Sequence, residues 1–228
     1  ANSGLCSRRE AERLINDGCV KVNGNVITNC NINVRTKDII EVNNQKLKAK
    51  GKVKLWLYYK KKGFLVTTKD THGRPNIFDE IKLKINKRLI SIGRLDFNSE
   101  GLLLLTNNGD FARKLELPKN KFQRTYRVRI FGKIDNKIKD QLKNGIIVNN
   151  IKYKPIELEL EKEKGKNRWL TMRLYEGKNR EIRKIMDHFG CTVNRLIRIS
   201  YGPFNLKDLK PGQLTELKYK NFTKLLKS

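Results

Sequence analysis

Apolar and polar residues alternate along this 228-residue chain with a period that changes from one segment to the next. An early segment opens with a Ser and a Glu three positions apart, after which Ala11, Leu14 and Ile15 recur on one helical face. This spacing predicts a short helix over residues 7–17, and Gly18 is well suited to end it.

The segments that follow the helix predict a small domain and a linker. "CVKVNGNVIT" alternates around an Asn-Gly pair, which predicts a β-hairpin, and "DIIEVNN" predicts a further strand. The lysine-rich stretch "KLKAKGKVK" has no apolar period and indicates a linker. We therefore expect an N-terminal domain over residues 1–47, a linker over 48–54 and a large domain over 55–228. The chain begins without Met inside a structured pattern, so we also expect its N-terminus to be incomplete.

The large domain reads as a series of strands interrupted by helices. The predicted strands are "KLWLYYKKKG", "RLISIGRLD", "EGLLLLTN", "RTYRVRIFG", "GIIVNNIKYKPIELELE", "RWLTMRLYEG" and "TVNRLIRISYG". Helical spacing appears at about 75–84, 110–116, 135–143 and 179–189. This order predicts an α+β fold, with a mixed, mostly antiparallel sheet flanked by helices.

The charge of the chain indicates a polyanionic partner. There are 51 Lys and Arg against 23 Asp and Glu, which gives a formal net charge of +28 and a pI near 10.1. Residues 1–50 hold 9 basic and 5 acidic residues, a net charge of +4, so +24 falls on the rest of the chain. Both predicted domains therefore face the polyanion, for which nucleic acid is the commonest candidate. No apolar run approaches the ~20 residues that span a bilayer, and we expect no membrane partner.

The cysteines and motifs narrow the class of function. Cys6, Cys19, Cys30 and Cys191 form no C-x-x-C pair, and with two histidines in the chain we expect no metal site. Isolated thiols are typical of a reducing compartment such as the cytoplasm. No G-x-x-x-x-G-K-[ST] loop is present, which argues against nucleotide hydrolysis.

One acid stands in a setting that suits a catalytic carboxylate. In "GRLDFNSEGLLLLTNNGD", Gly93 provides a bend, Asp96 lies on the loop that follows, and "LLLLT" returns as a buried strand. A carboxylate between a bend and a buried strand is rigidly supported. Alternatively, Asp96 is an ordinary turn residue bonded to nearby backbone.

A second segment combines a helix start with basic side chains. In "YEGKNREIRKIMDHFG", Asn179 can cap a helix that carries Arg180, Arg183 and Lys184 opposite its apolar face. Free N–H groups and cations at a helix start bind anions. The alternative is an ordinary amphipathic surface helix.

Two further sets of residues suit contact with RNA. In "RTYRVRI", Tyr126 alternates with arginines on a predicted strand, where it can stack on an exposed base or pack in the core. The N-terminal helix presents three arginines, which contact RNA or form a solvated face: Arg8, Arg9 and Arg13.

Together, "GRLDFNSEGLLLLTNNGDFARKL", "RTYRV", "EGKNREIRKI" and "RLIRISYGPFNL" resemble the RsuA/RluB family of ribosomal RNA pseudouridine synthases. The N-terminal helix and hairpin resemble the alpha-L RNA-binding domain of that family. The resemblance implies isomerisation of uridine to pseudouridine without cofactor or metal: the glycosidic bond breaks, the uracil rotates, and its carbon 5 rejoins the ribose. It also implies a monomer that acts on ribosomal RNA or a pre-ribosomal particle, with large-subunit RNA favoured, in a bacterial cytoplasm or an organelle of bacterial descent.

The resemblance assigns roles to particular residues. Asp96 is the essential acid, which either attacks the ribose or abstracts its proton, and Arg183 pairs with it. Tyr126 stacks on the base, and Leu196 lies beneath the flipped base. Apart from the resemblance, Arg94 lies close enough to Asp96 in sequence to hold the flanking backbone or fill the space that the base vacates. Arg180 and Lys184, on the basic helix start, are the remaining expected substrate contacts.

The chain departs from the family pattern at a few positions, and rival functions remain. Lys61 stands where Pro is frequent, Glu181 where Gln is common and Ser99 where Thr is common. The rivals are a non-catalytic RNA-binding factor, a DNA-binding protein and a structural ribosomal protein. The intact Asp96 argues against the first, the lack of a helix-turn-helix pair against the second, and the motifs of the large domain against the third.

Overall fold

The structure, a computed structural model, describes residues 1, 3–47, 51–68, 70–85, 87–161 and 167–227. The Ser7 hydroxyl oxygen accepts a hydrogen bond from the Glu10 backbone N–H at 3.1 Å, as the capping pattern predicts. Asn23 and Gly24 turn the first hairpin with φ values of 51° and 83°. The N-terminal elements are α1 (Arg8–Asn16), β1 (Val20–Val22), β2 (Asn25–Ile27), β3 (Ile40–Val42) and β4 (Gln45–Lys46), and the strands form a sheet in the order β2-β1-β3-β4.

The structure describes only part of the predicted linker, because residues 48–50 lie outside the described residues. Residues 51–54 carry neither helix nor strand. The Lys54 N–H donates to the Asn107 side-chain oxygen at 2.8 Å, and its carbonyl accepts from the Thr106 hydroxyl at 2.7 Å. This end of the segment is therefore held by the large sheet, while the boundaries of the two domains stay a prediction.

A nine-stranded sheet organises the rest of the chain. The seven main strands lie in the order β11-β12-β8-β13-β7-β5-β15, with β6 beside β7 and β14 beside β13. The β13–β7 pair is parallel and the other neighbouring strands pair antiparallel, so the predicted mixed, mostly antiparallel sheet of an α+β fold is confirmed. The strands are β5 (Leu55–Lys60), β6 (Ile90–Ile92), β7 (Glu100–Thr106), β8 (Arg124–Phe131), β11 (Glu157–Leu160), β12 (Asn167–Leu174), β13 (Thr192–Tyr201), β14 (Phe204–Asn205) and β15 (Leu214–Glu216).

Both faces of this sheet are apolar, which explains the uninterrupted run in β7. Leu103 and Leu105 join one apolar cluster, and Leu102 and Leu104 join the other, because successive side chains of a strand point to opposite faces. The first cluster is covered by α2 (Ile77–Lys82), α4 (Asn136–Asn144) and α5 (Glu181–His188), and the second by α3 (Gly109–Glu116) and α6 (Thr223–Lys227). None of the helices described is long and apolar enough to cross a membrane.

One strand prediction is wrong in its extent. The segment "GIIVNNIKYKPIELELE" contains a separate hairpin, β9 (Ile146–Val148) and β10 (Ile151–Tyr153), before β11 begins. Asn149 and Asn150 turn this hairpin with φ values of 48° and 61°. Two consecutive asparagines tolerate the left-handed region better than most residues do, and the Asn-Asn pair was the available signal for this turn.

Candidate active site

Asp96 lies on the short turn that joins β6 to β7. Gly93 bends the chain after β6 with a φ of 69°, and the Asp96 carbonyl accepts a hydrogen bond from the Ser99 N–H at 3.0 Å. All seven residues of β7 are buried, so the turn leads into a strand that is packed on both faces. Asp96 is itself half-buried. A carboxylate is thus held at the edge of the sheet, in the setting that the sequence predicts for a reactive group.

A buried lysine that the sequence patterns did not single out supports this turn from below. The Lys60 side chain is fully buried, and its ammonium group donates to the carbonyl oxygens of Ser99 at 2.7 Å and Phe97 at 3.4 Å. Burial lowers the pKa of Lys60 to about 8, although the carboxylates of Asp96 and Glu100 raise it. The available signal was a lysine at the end of a strand whose other five residues are apolar or aromatic.

Arg183 holds the same turn from α5. Its guanidinium donates to the carbonyl oxygen of Asn98 at 3.0 Å and to that of Val193 at 2.9 Å. Burial and the neighbouring Arg180 lower the pKa of Arg183, while the Asp96 carboxylate raises it. No direct ion pair joins Arg183 to Asp96 within the described ranges, so the pairing that the resemblance implies stays a prediction.

The carboxylate of Asp96 faces a cavity of about 810 Å³, a size within the roughly 300–1,000 Å³ of ligand pockets. β6, β8, β12, β13, the turn between β6 and β7 and the loop before α5 all contribute to its walls. Five of the predicted site residues line it: Arg94, Asp96, Tyr126, Arg180 and Leu196.

Tyr126 and Leu196 reach the cavity from neighbouring strands. Tyr126 of β8 is 8 % exposed and Leu196 of β13 is 6 % exposed, and both also belong to the apolar cluster beneath α5. On the opposite face of β8, Arg127 pairs with Glu161 at 2.8 Å, as the predicted alternation requires. The two interpretations of Tyr126 are therefore compatible, because the side chain packs in the core and also lines the cavity.

The loop before α5 differs from the prediction that Asn179 caps the helix. Arg180 is the N-cap residue, in a left-handed conformation with a φ of 52°, and no side chain caps the helix there. The Glu181 carboxylate instead accepts a hydrogen bond from the Lys178 N–H at 2.9 Å. Burial, with a smaller contribution from the neighbouring Glu176, raises the pKa of Glu181 to about 7. A carboxyl group that is 4 % exposed thus anchors the loop on which Arg180 enters the cavity.

The remaining predicted residues lie away from Asp96. Lys184 is half-buried in α5 and does not line the cavity. The three arginines of α1 are exposed, and Arg8 forms an ion pair with Glu12 at 3.2 Å. These residues belong to other surfaces of the molecule, and their predicted contacts with RNA stay predictions.

An aromatic ring and two arginines to which the sequence patterns assigned no role also line the cavity. The Arg124 guanidinium lies 4.9 Å from the centre of the Tyr201 ring and donates to the Tyr201 hydroxyl at 3.0 Å. The Arg198 guanidinium lies 5.3 Å from the centre of the same ring. Arg124 and Arg198 thus add positive charge to the cavity that Asp96 lines, an arrangement suited to an anionic ligand.

Comparisons with known proteins agree with this geometry. The family profile described as RNA pseudouridylate synthase matches residues 54–188, and that of the S4 domain matches residues 1–40. An uncharacterized RNA pseudouridine synthase of Rickettsia bellii is 48% identical over 217 residues, which is 95% of this chain and 93% of the relative. A ribosomal large subunit pseudouridine synthase B of Bacillus subtilis is 38% identical over 95% of this chain and 89% of its own length.

The fold also has a counterpart among solved structures. A crystal structure of a pseudouridylate synthase superposes with a TM-score of 0.69 at 24% sequence identity, over 98% of this chain and 95% of that one. At this identity the likeness concerns the fold, and it extends over both the N-terminal sheet and the nine-stranded sheet.

Proposed function

Because this chain belongs to the RNA pseudouridylate synthase family, we propose that it converts a uridine of ribosomal RNA to pseudouridine with Asp96 as the reacting carboxylate. The observation that carries this assignment is the position of Asp96, on a rigid turn at the wall of an 810 Å³ cavity that Tyr126 and Leu196 also line. The relative from Bacillus subtilis is named for the large ribosomal subunit, and we extend that substrate class to this chain.

The reaction needs a uridine that has left the base stack. The N1–C1′ bond breaks, the uracil turns within the cavity, and a C5–C1′ bond forms, so the atoms of the nucleotide are conserved and no cofactor or metal is required. Asp96 either attacks the ribose or removes a ribose proton, and both roles need the ionised carboxylate. Lys60 and Arg183 lie close enough to the Asp96 carboxylate for its charge to raise their pKa values.

The side chains around the cavity have distinct roles in this proposal. Tyr126 stacks on the uracil, and Leu196 contacts its other face, which offsets part of the few kcal/mol that flipping costs. Arg183 holds the turn that carries Asp96. Arg94 and Arg180 at the cavity wall contact the RNA backbone.

RNA outside the cavity meets the wider basic surface. Lys184 on α5 and the exposed arginines of α1, which are Arg8, Arg9 and Arg13, bind further phosphates in this proposal. Phosphate contacts of this kind position the RNA and carry no sequence information. The protein acts as a cytoplasmic monomer on ribosomal RNA or a pre-ribosomal particle, without DNA or membrane as a partner.

Asp96→Asn tests the assignment. An amide has nearly the shape of a carboxylate but cannot serve as nucleophile or base, so pseudouridine formation should fall below detection while folding and RNA affinity persist. Pseudouridine is mapped chemically in ribosomal RNA from cells with the wild-type protein, with Asp96→Asn, or with neither. Asp110→Asn, a change in an acid at the start of α3, is the control that should keep activity. Substantial turnover by a folded Asp96→Asn protein would contradict the role of Asp96. An unchanged pseudouridine map in cells without the protein would contradict the function.

A further inference from the structure

Arg198 lines the catalytic cavity and carries a buried, unpaired hydrogen-bond donor. Its side chain is 2 % exposed and lines the same cavity as Asp96, Tyr126 and Leu196. The guanidinium Nε donates to the Leu102 carbonyl oxygen at 2.7 Å. Its Nη2 has no hydrogen-bond partner among the residues that the structure describes.

The position of this guanidinium is fixed by the sheet. In the β13–β8 register Arg198 lies opposite Tyr126, and in the β13–β7 register it lies opposite Gly101. The backbones pack so closely there that a Cβ atom on Gly101 would lie 2.4 Å from the Arg198 carbonyl oxygen. The Tyr201 ring covers the guanidinium from one side at 5.3 Å. Arg198 is therefore held rigidly beside Tyr126, as a group that must meet a substrate atom needs to be.

The unpaired donor calls for an acceptor. Burying a cation without a charged partner is unfavourable, and an unpaired buried N–H adds to that cost. The acid nearest in the sheet, Glu100, already forms a two-point ion pair with Arg195, at 2.6 and 3.0 Å. No ion pair of Arg198 occurs in the described part of the chain. An acceptor that enters the cavity would satisfy Nη2.

We propose that Arg198 Nη2 donates a hydrogen bond to a carbonyl oxygen of the flipped uracil, which makes Arg198 a further catalytic residue. This inference rests on the proposed function. Cross-strand neighbours have Cβ atoms about 5 Å apart, so a base stacked on Tyr126 has its edge within reach of Arg198. When the N1–C1′ bond breaks, its electron pair passes to the uracil, where the charge spreads over N1 and the carbonyl oxygens. A positioned guanidinium binds that charge more strongly than it binds the neutral base.

A second unpaired atom lies in the same wall of the cavity. Ser99 is 2 % exposed, lines the cavity, and its hydroxyl oxygen has no hydrogen-bond partner in the described residues. It directly precedes β7, whose first residue, Glu100, is opposite Ile197 of β13. A polar wall of this kind selects bases by their acceptor groups, since a base without them leaves buried donors unpaired.

The test combines a change in the enzyme with a change in the substrate. The probes are synthetic ribosomal RNA fragments that carry uridine, 2-thiouridine or 4-thiouridine at the position that the wild-type protein modifies. Sulfur accepts hydrogen bonds poorly, so one of the two thio substitutions should slow single turnover of the wild type about 10-fold or more. Arg198→Lys keeps the charge but moves the donor, and it should react about 100-fold more slowly than the wild type on uridine RNA. On that thio-RNA, the variant should react less than 3-fold more slowly than it does on uridine RNA.

A change in a neighbouring arginine of β13 serves as the control. Arg195→Lys changes an arginine of the same strand whose partner is Glu100, and its ratio of uridine to thio-RNA turnover should equal that of the wild type. Circular dichroism checks folding, and Arg198→Gln replaces Arg198→Lys if the latter is unfolded. Equal wild-type rates on all three RNAs, or an unchanged thio ratio in the Arg198 variant, overturn the inference while the proposed function stands. Absence of pseudouridine from every wild-type reaction overturns the proposed function itself.

Discussion

The ammonium group of Lys60 lies 2.7 Å from the carbonyl oxygen of Ser99, at the end of the turn that carries Asp96. On the other side of the turn, the Arg183 guanidinium lies 3.0 Å from the carbonyl oxygen of Asn98. Two cations thus hold the backbone that presents the carboxylate, and both are close enough to Asp96 for its charge to raise their pKa values. The position of the turn that presents Asp96 therefore depends on these two side chains.

Removing the buried ammonium group should reduce turnover more than binding. Lys60→Met keeps an unbranched side chain in the core but leaves the carbonyl oxygens of Ser99 and Phe97 without their donor. We expect single-turnover pseudouridine formation to fall about 10- to 100-fold, because a reactive group that shifts by about 1 Å loses this much rate. RNA affinity should change less than 3-fold.

The neighbouring lysine provides the control for that prediction. Lys61 pairs with Glu80 at 3.0 Å on the half-exposed side of the same segment, and Lys61→Met should leave turnover within about 3-fold of the wild type. If Lys60→Met reacts as fast as Lys61→Met, the turn does not need its buried cation.

The aromatic face of Tyr126 should be separable from its hydroxyl. Tyr126→Phe keeps both the packing and the stacking surface, and we expect nearly wild-type RNA affinity. Tyr126→Leu keeps an apolar side chain in the core but removes the ring, and should lose roughly 1–3 kcal/mol of base contact. Binding is measured on an RNA fragment with the target uridine and on one with the uridine deleted. Equal affinity of the Leu variant and the wild type would mean that Tyr126 serves the core alone.

Glu181 should make stability depend on pH in a defined window. In the folded chain the Glu181 carboxyl group stays protonated up to about pH 7, whereas a Glu side chain in an unfolded chain ionises near pH 4.3. Between these values the folded state binds more protons, so stability falls as the pH rises. The Gln side chain of Glu181→Gln cannot ionise. Between pH 4.5 and pH 7.5, the unfolding free energy of the wild type should therefore fall by about 1–3 kcal/mol more than that of the variant. Urea titrations of both proteins at the two pH values measure this, and parallel curves would show that the carboxyl does not titrate there.

Local sequence patterns predict the elements around the site, but they do not predict several of the contacts between those elements. The bend at Gly93, the buried run of β7 and the alternation in β8 predict where Asp96 and Tyr126 lie, because each depends on neighbours in sequence. The roles of Lys60 and Arg198 depend on strand order instead. They flank Gly101 across the sheet, in registers that join residues more than 40 and more than 90 positions apart. Periodicity within one segment carries no information about such pairs.

The loop at the start of α5 is a second place where a prediction from local sequence differs from the structure. Asn179 is a good N-cap residue by type, yet Arg180 occupies that position in the structure. The Glu181 carboxylate instead accepts a hydrogen bond from the Lys178 N–H in the loop that precedes the helix. The choice between the two arrangements is made by burial of Glu181 against the rest of the domain, which propensity does not describe.

The arginines of α1 test whether the N-terminal part adds affinity for RNA. Replacing Arg8, Arg9 and Arg13 together with Gln leaves the cavity untouched, since all three are exposed on α1. We expect weaker binding of a ribosomal RNA fragment and a shallower salt dependence, by up to about 0.7–0.9 in log–log slope for each phosphate that the variant no longer binds. The loss of RNA affinity should be modest, because the rest of the chain keeps its net charge of +24. The loss can be larger than charge alone predicts, because two binding surfaces in one chain strengthen each other's binding. Affinity is measured at several salt concentrations.

A control variant that loses the same charge far from α1 in sequence separates phosphate binding by α1 from a general effect of net charge. The control replaces three exposed lysines near the C-terminus with Gln: Lys210, Lys218 and Lys220. Both variants lose three positive charges, so a general effect of net charge shifts their affinities equally. A larger change of slope in the α1 variant assigns phosphate binding to that helix, in which Arg8 contributes least because Glu12 already pairs with it. Equal slopes in the α1 variant and the wild type would make these arginines a solvated face and leave recognition to the large domain.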